Sequence, residues 1–242
     1  MRLPVLLRRV PRTIRLGTLQ LVVLLVALTL LVGSLVARGA RNSFLLDDLA
    51  AAQLSRQTEL QRLSGELRQW RQFGRIVSAL DFLSQSRLRG DDLIQTSRML
   101  YGMSRSVGFD PLLILAVVSV ESRGNPAAQG KFRSGNVSGA VGLMQIKYET
   151  ARIVGRSIRN PVRREWDLLR PDVNLLYGTA YLLQMVNRYG SLEKGLIAYN
   201  MGPGALESAL AGHRRLPRRY YNRVLSNYRG LVQRFGEDPF DD

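Results

Sequence analysis

The stretch FDPLLILAVVSVESRGNP, residues 109–126, opens on a helix-start signal and closes on a turn. Asp110 supplies a carboxylate for the N-cap, and Pro111 suits the first helical position. Almost unbroken apolar sequence follows as far as Val120. The β-branched residues of LLILAVVSV would also suit a buried strand, but the Asp-Pro start and the length favour a helix. A helix apolar on every side must sit in the middle of its domain. At its C-terminal end stands Glu121, with Val117 and Val118 one turn behind it on the same side. Desolvation and the negative end of the helix dipole both disfavour an ionised carboxylate there. A carboxyl group that keeps its proton near neutral pH can act as a general acid. On these residues alone two other readings stay open: Glu121 points into water, or Arg123 pairs with it and keeps it ionised.

Around this segment the punctuation is helical. Asp91 and Asp92 are expected to cap a helix containing Leu93, Ile94, Met99, Leu100 and Met103, and Gly108 to close it. Gly, Pro and Asn signals separate further helices expected over about 142–154, 172–188, 192–199 and 218–235. No alternating strand pattern and no fixed-period repeat is visible.

Composition narrows the chemistry. The 242 residues include 35 Lys plus Arg against 19 Asp plus Glu, a formal net charge of +16 that favours anionic partners. The absence of cysteine excludes disulfides, thiolate metal sites, Cys nucleophiles and a lipid-modified N-terminal Cys. The single histidine, His213, stands in the basic run GHRRLPRR and reads as a solvated loop residue. Residues 16–37, LGTLQLVVLLVALTLLVGSLVA, carry no charge over 22 positions and are long enough to cross a bilayer. Arg2, Arg8, Arg9, Arg12 and Arg15 precede them, whereas only Arg38 and Arg41 follow before Asp47 and Asp48. The positive-inside rule therefore places the N-terminus in the cytoplasm and the rest outside. A cleaved signal peptide would have a shorter apolar region and a better site than VARGARNS. Beyond the anchor, Leu46, Leu49, Leu60, Leu63, Leu67, Trp70 and Val77 fall on heptad positions that Gln53 and Arg56 interrupt. A long amphipathic stalk is expected, able to pack on the domain behind it, to pair with a partner from an envelope machine, or to hold the domain off the membrane. The resulting organisation is a cytoplasmic basic tail (1–15), a transmembrane helix (16–37), a helical stalk or linker (38–90), a catalytic domain (91–235) and an acidic tail (236–242).

Four motifs then occur in order: ESRGNP, SGAVGLMQIKYETA, DVNLLYGTAYL and AYNMGPG. Together they resemble the catalytic domain of the bacterial lytic transglycosylases of the soluble lytic transglycosylase (SLT) type, over about residues 108–228. The resemblance implies an all-α, lysozyme-like domain, here behind a transmembrane helix and an amphipathic helical stalk. It implies cleavage of the β-1,4 bond between N-acetylmuramic acid and N-acetylglucosamine in peptidoglycan, with no cofactor and no metal. The family's catalytic glutamate falls on Glu121. Its expected role is to protonate the glycosidic oxygen and then, as carboxylate, to take the proton of the muramyl C6 hydroxyl, closing a 1,6-anhydro ring. Most glycosidases need two carboxylates. Similar transglycosylases use one, with the substrate N-acetyl group stabilising the oxocarbenium-like centre, so the next acid, Glu149, reads as a solvated charge.

The resemblance also assigns substrate contacts. Gly139 and Gly142 are expected to let backbone approach a sugar, and Leu143, Met144 and Gln145 to offer an apolar surface and an amide to N-acetyl groups. Tyr199 and Asn200 are expected to line the cleft near Glu121, and Tyr220 to match a family tyrosine, with Tyr221 its substitute if the register slips by one. Asn174 and Gly178 read as structural. AAQGKFRSGN is longer than the commoner family spacing, and Asn136 stands where the family has serine, leaving Ser138 to compete for that role. Tyr148 replaces a usual proline and Gly124 a usual aromatic. A hydrolytic muramidase of the same fold and a non-catalytic peptidoglycan-binding envelope protein are the alternatives. Nucleic acid is not an expected partner, since no recognised module is present and the domain faces away from the cytoplasm. Arg214, Arg215, Arg218 and Arg219 are free to meet peptide carboxylates of the wall instead.

Overall fold

The computed structural model describes residues 12–132 and 134–236, in two compact units, Met1–Glu66 and Leu67–Asp242. Within the first unit the described residues belong to helix α1 (Arg12–Ser84), whose chain lacks proline throughout. One window of this helix is long and apolar enough to cross a membrane, and none of it is buried. The arginines at 2, 8 and 9 lie outside the described residues. The stalk leucines Leu46, Leu49, Leu60 and Leu63 are exposed, and Arg62 bridges Glu59 and Glu66 along the helix surface.

The second unit is helical around a small sheet. Its helices are the C-terminal part of α1, α2 (Gly90–Val107), α3 (Pro111–Ser122), α4 (Tyr148–Ser157), α5 (Pro171–Tyr189), α6 (Leu192–Met201), α7 (Pro203–Ala211) and α8 (Arg219–Phe235), with a 3-10 turn over Glu165–Leu169. As its apolar surface requires, α3 lies at the centre, with Leu112 and Ile114 to Val118 all buried. Asp110 caps it by accepting the Leu112 amide at 2.9 Å, and its other oxygen accepts the Tyr228 hydroxyl of α8 at 2.6 Å. That bond, reinforced by burial, pushes the Tyr228 pKa up to about 12. A cap of this kind stabilises by about 1 kcal/mol. Asn227 adds a bond to Ser119, two residues before Glu121, so α8 is pinned along most of α3.

Several sequence expectations change. Asp91 and Asp92 sit in the first turn of α2, where their charge is favoured by the positive end of the helix dipole, and Arg89 occupies the N-cap. Part of the expected stalk or linker, 38–90, is core: Ile76, Ala79, Leu80 and Leu88 are buried with α3. This explains Gly124, which stands at φ 69 with the Leu83 carbonyl 2.2 Å from where a Cβ would be. The backbone of α1 occupies the space that the family's aromatic would need. Within the expected all-α fold stands one small three-stranded antiparallel sheet, β1 (Gln129–Lys131), β2 (Val137–Val141) and β3 (Ile146–Lys147), that no strand pattern in the sequence announced. Strands of two to five residues around a Gly-rich turn are too short for alternation to register. The helix expected over 142–154 begins only at Tyr148, because Gly142 (φ 76) and Gln145 (φ 49) are left-handed.

Candidate active site

Glu121 reaches the surface of the domain in a cleft of about 610 Å³, whose walls come from α3, the sheet, α4, α5, α6 and the start of α7. Of the residues expected at the site, Glu121, Ser138, Gln145, Tyr199 and Asn200 line it together. Among the described residues Glu121 is the sole carboxylate on the cleft. Glu149 points away, 69% exposed and paired with Arg152.

The glutamate is partly buried, and its Oε1 accepts the Tyr220 hydroxyl at 2.5 Å. Tyr220 is buried, whereas Tyr221 packs elsewhere under the Arg218 guanidinium, so of the two tyrosines it is Tyr220 that meets Glu121. Burial raises the Glu121 carboxyl above its ordinary pKa, and the Tyr220 hydroxyl and the Arg223 guanidinium work against the rise. The group is therefore a better proton holder than a free carboxylate. Both tyrosines near it, Tyr199 and Tyr220, are themselves raised, by burial and then by the adjacent Glu121 charge, and stay protonated. Arg123 does not pair with Glu121. It ends α3 in the left-handed conformation (φ 53), and the cation that acts on the carboxylate is Arg223 of α8.

The GLMQ segment is built differently from the sequence reading. Leu143 and Met144 are fully buried and offer no side-chain surface to a ligand. What Met144 contributes is backbone: its carbonyl accepts the Tyr199 hydroxyl at 2.7 Å, and its amide donates to Asn174 Oδ1 at 2.8 Å. Asn174 Nδ2 in turn donates to the carbonyls of Val141 and Leu168, at 2.8 and 2.9 Å. Gly142 serves this same contact, because a Cβ there would lie 2.2 Å from Asn174 Nδ2. Its expected approach to a sugar is thus replaced by an approach to a buried amide. Gln145 spends its amide nitrogen on the carbonyls of Ala128 and Gly142 and leaves its oxygen to the cleft. Gly139 bends β2 at φ 79 between Ser138 and Ala140. Asn136 is exposed in the hairpin turn, where its carbonyl accepts the Phe132 amide, and it is Ser138 that faces the cleft.

Other cleft residues were not singled out in the sequence. Tyr181 packs against Tyr199 with ring centroids 5.4 Å apart and planes tilted by 46°, and Lys131, Lys147 and Thr150 complete the wall. For Tyr181 a signal existed, one turn beyond Gly178 in the motif GTAYL. The lysines carried none, since their position depends on the strand pairing.

The comparisons with known proteins follow the same segment of chain. The family model of the transglycosylase SLT domain matches residues 102–222, half of the 242 residues. A transglycosylase of Enterobacteria phage PRD1 is 35% identical over 99 residues, 41% of this chain and 32% of that protein. Endo-type membrane-bound lytic murein transglycosylase A of Klebsiella pneumoniae subsp. pneumoniae is 34% identical over 126 residues, 44% of this chain and 55% of that protein. This chain thus matches between about a third and about half of the length of these relatives. In fold, the 70-kDa soluble lytic transglycosylase solved in complex with bulgecin A aligns with a TM-score of 0.50 at 22% identity, over 61% of this chain and 28% of that one. With a cleft built around one proton-holding glutamate and the family model spanning it from α2 to α8, this chain belongs to the transglycosylase SLT domain family.

Proposed function

We propose that this chain is a membrane-anchored peptidoglycan lytic transglycosylase with Glu121 as its single acid and base. The observation that carries the reading is Glu121 itself: a partly buried carboxyl with a raised pKa, hydrogen-bonded by Tyr220, and the sole carboxylate on the cleft among the described residues. The proton of Glu121 passes to the oxygen linking muramyl C1 to the next sugar, and the C1–O bond breaks. The carboxylate so formed is held by the Tyr220 hydroxyl and faces the Arg223 charge, which makes it a base of moderate strength. It takes the proton of the C6 hydroxyl while O6 bonds to C1, so the proton count on the enzyme is restored and no water is consumed. Gln145 Oε1, Ser138 and Asn200 are the polar groups placed to orient N-acetyl groups.

Products decide between this reaction and hydrolysis on the same fold. Full-length chain in detergent, incubated with purified sacculi, is expected to release muropeptides ending in 1,6-anhydro-muramic acid, identified by mass. Reducing ends in their place would make the enzyme a hydrolytic muramidase, and no release at all would favour a binding role.

The anchor and its orientation belong to the same proposal. The long apolar helix and the five arginines ahead of its uncharged stretch support an N-terminus in the cytoplasm and a catalytic domain in the periplasm. The chain has no cysteine, so single cysteines report sidedness cleanly. Ser43→Cys is expected to react with an impermeant maleimide once the outer membrane is opened, and Arg9→Cys only after the inner membrane is broken. The reverse pattern would invert the topology.

A further inference from the structure

The cleft carries two cations that the proposed chemistry does not use. Lys131 ends β1 and Lys147 ends β3, and both residues line the cleft with Ser138 and Ala140 of the central strand between them. Neighbouring strands lie about 4.8 Å apart, so β1 and β3 run roughly 10 Å from one another across β2. Lys147 stands opposite Ala140 and Lys131 opposite Val137, three positions away along β2, so the two lysines are offset along the strands as well as across them and can meet separate carboxylates. Both lysines are exposed, and neither is paired with a carboxylate among the described residues. Lys147 also lies 5.9 Å from the Phe132 ring centroid, a contact between two exposed side chains that leaves its charge uncompensated. The common effect of the two lysines is a trough of positive potential beside Glu121.

The sugars of a peptidoglycan strand are neutral once the lactyl carboxyl of the muramyl residue is tied up in its amide link. The anionic groups that remain are the carboxylates of the peptide substituents. We propose that Lys131 and Lys147 form a recognition pair for those carboxylates, so that the cleft selects strands whose peptides carry free carboxyl groups. Lys131 lies within AAQGKFRSGN, the stretch by which this chain departs from the commoner spacing of its family, so the selectivity is a property of this chain's hairpin. The inference rests on the proposed transglycosylase reading of the cleft.

The test compares glycan–peptide strands with free carboxylates against the same strands after chemical amidation, scoring 1,6-anhydro ends released by full-length enzyme. The wild type is expected to prefer the free carboxylates by roughly tenfold in kcat/KM, carried by KM, as fits two exposed ion pairs. The preference shrinks as ionic strength rises. It falls to near one in the Lys131→Ala, Lys147→Ala double variant, partway in each single variant, and reverses when both become Glu. Unchanged circular dichroism establishes that these surface changes leave the fold intact. A wild type without preference, or a double variant that keeps it, would overturn the inference alone. A wild type that releases no anhydro ends from either preparation would instead overturn the transglycosylase reading, and the inference with it.

Discussion

Glu121→Gln is expected to lower release of 1,6-anhydro ends from sacculi by at least about 10²–10⁴-fold, the usual contribution of a positioned acid or base. The loss should lie at the upper end or beyond it, because one carboxyl serves both proton transfers and no second carboxylate lines the cleft among the described residues. The fold should survive, since the amide oxygen of glutamine can accept the Tyr220 hydroxyl as Oε1 does. Stability gives an independent readout. Burial raises the Glu121 pKa above its ordinary 4.5, so the native state holds the proton more tightly than the unfolded chain. The favourable contribution of this protonation is complete below the unfolded pKa and is lost as pH climbs through the folded one. Glutamine has no such proton to lose. The variant should therefore gain on the wild type as pH rises from about 4.5 through the folded pKa, then hold a constant advantage. Thermal midpoints of both proteins in detergent, taken at several pH values, measure this. Parallel curves, or undiminished anhydro-end release, would remove Glu121 from the role given to it.

Asn174→Ala is expected to cost about 3–5 kcal/mol and to abolish most activity without touching a cleft residue. The side chain is fully buried and makes three hydrogen bonds, to the Met144 amide and to the carbonyls of Val141 and Leu168. Alanine leaves one donor and two acceptors buried without partners, each worth about 1–3 kcal/mol when stranded, less whatever water recovers. The segment so released is the one that holds the Tyr199 hydroxyl through the Met144 carbonyl and presents Gln145 to the cleft. Asn174→Asp should be at least as damaging, because it turns the donor that faces two carbonyls into an acceptor. Denaturation midpoints alongside anhydro-end release test the linkage. A variant within 1 kcal/mol of wild type would show that the segment holds its shape without Asn174.

The two residues illustrate different degrees of legibility. Asn174 was readable as structural in DVNLLYGTAYL, yet which groups it satisfied was not, since its partners lie 6 to 33 positions away in the chain. Met144 read as a ligand surface on the strength of the family resemblance alone, since a Leu-Met pair by itself is more often core. Its burial follows from packing against Gly178, where a Cβ would come within 2.5 Å of the Met144 side chain. Arg218, read as free for wall carboxylates, is bonded to Glu193 at 2.8 Å.

What the sequence by itself determined is local. The Asp-Pro start and Gly108 bounded α3 and α2, the uncharged run at 16–37 marked the apolar helix, and the ordered motifs singled out Glu121, Gln145 and Tyr199. Caps, fixed proline φ values and apolar periodicity act within a few residues, so they can be read along the chain. Tertiary structure decided everything that depends on distant partners. Tyr220 meets Glu121 across 99 positions, Arg223 takes the place expected of Arg123, Leu83 of α1 fills the space above Gly124, and the pairing of three very short strands brings Lys131 and Lys147 to one wall. Burial and charge at the Glu121 carboxyl are sums over such neighbours. Its proton affinity therefore became readable only once α8 was packed against α3.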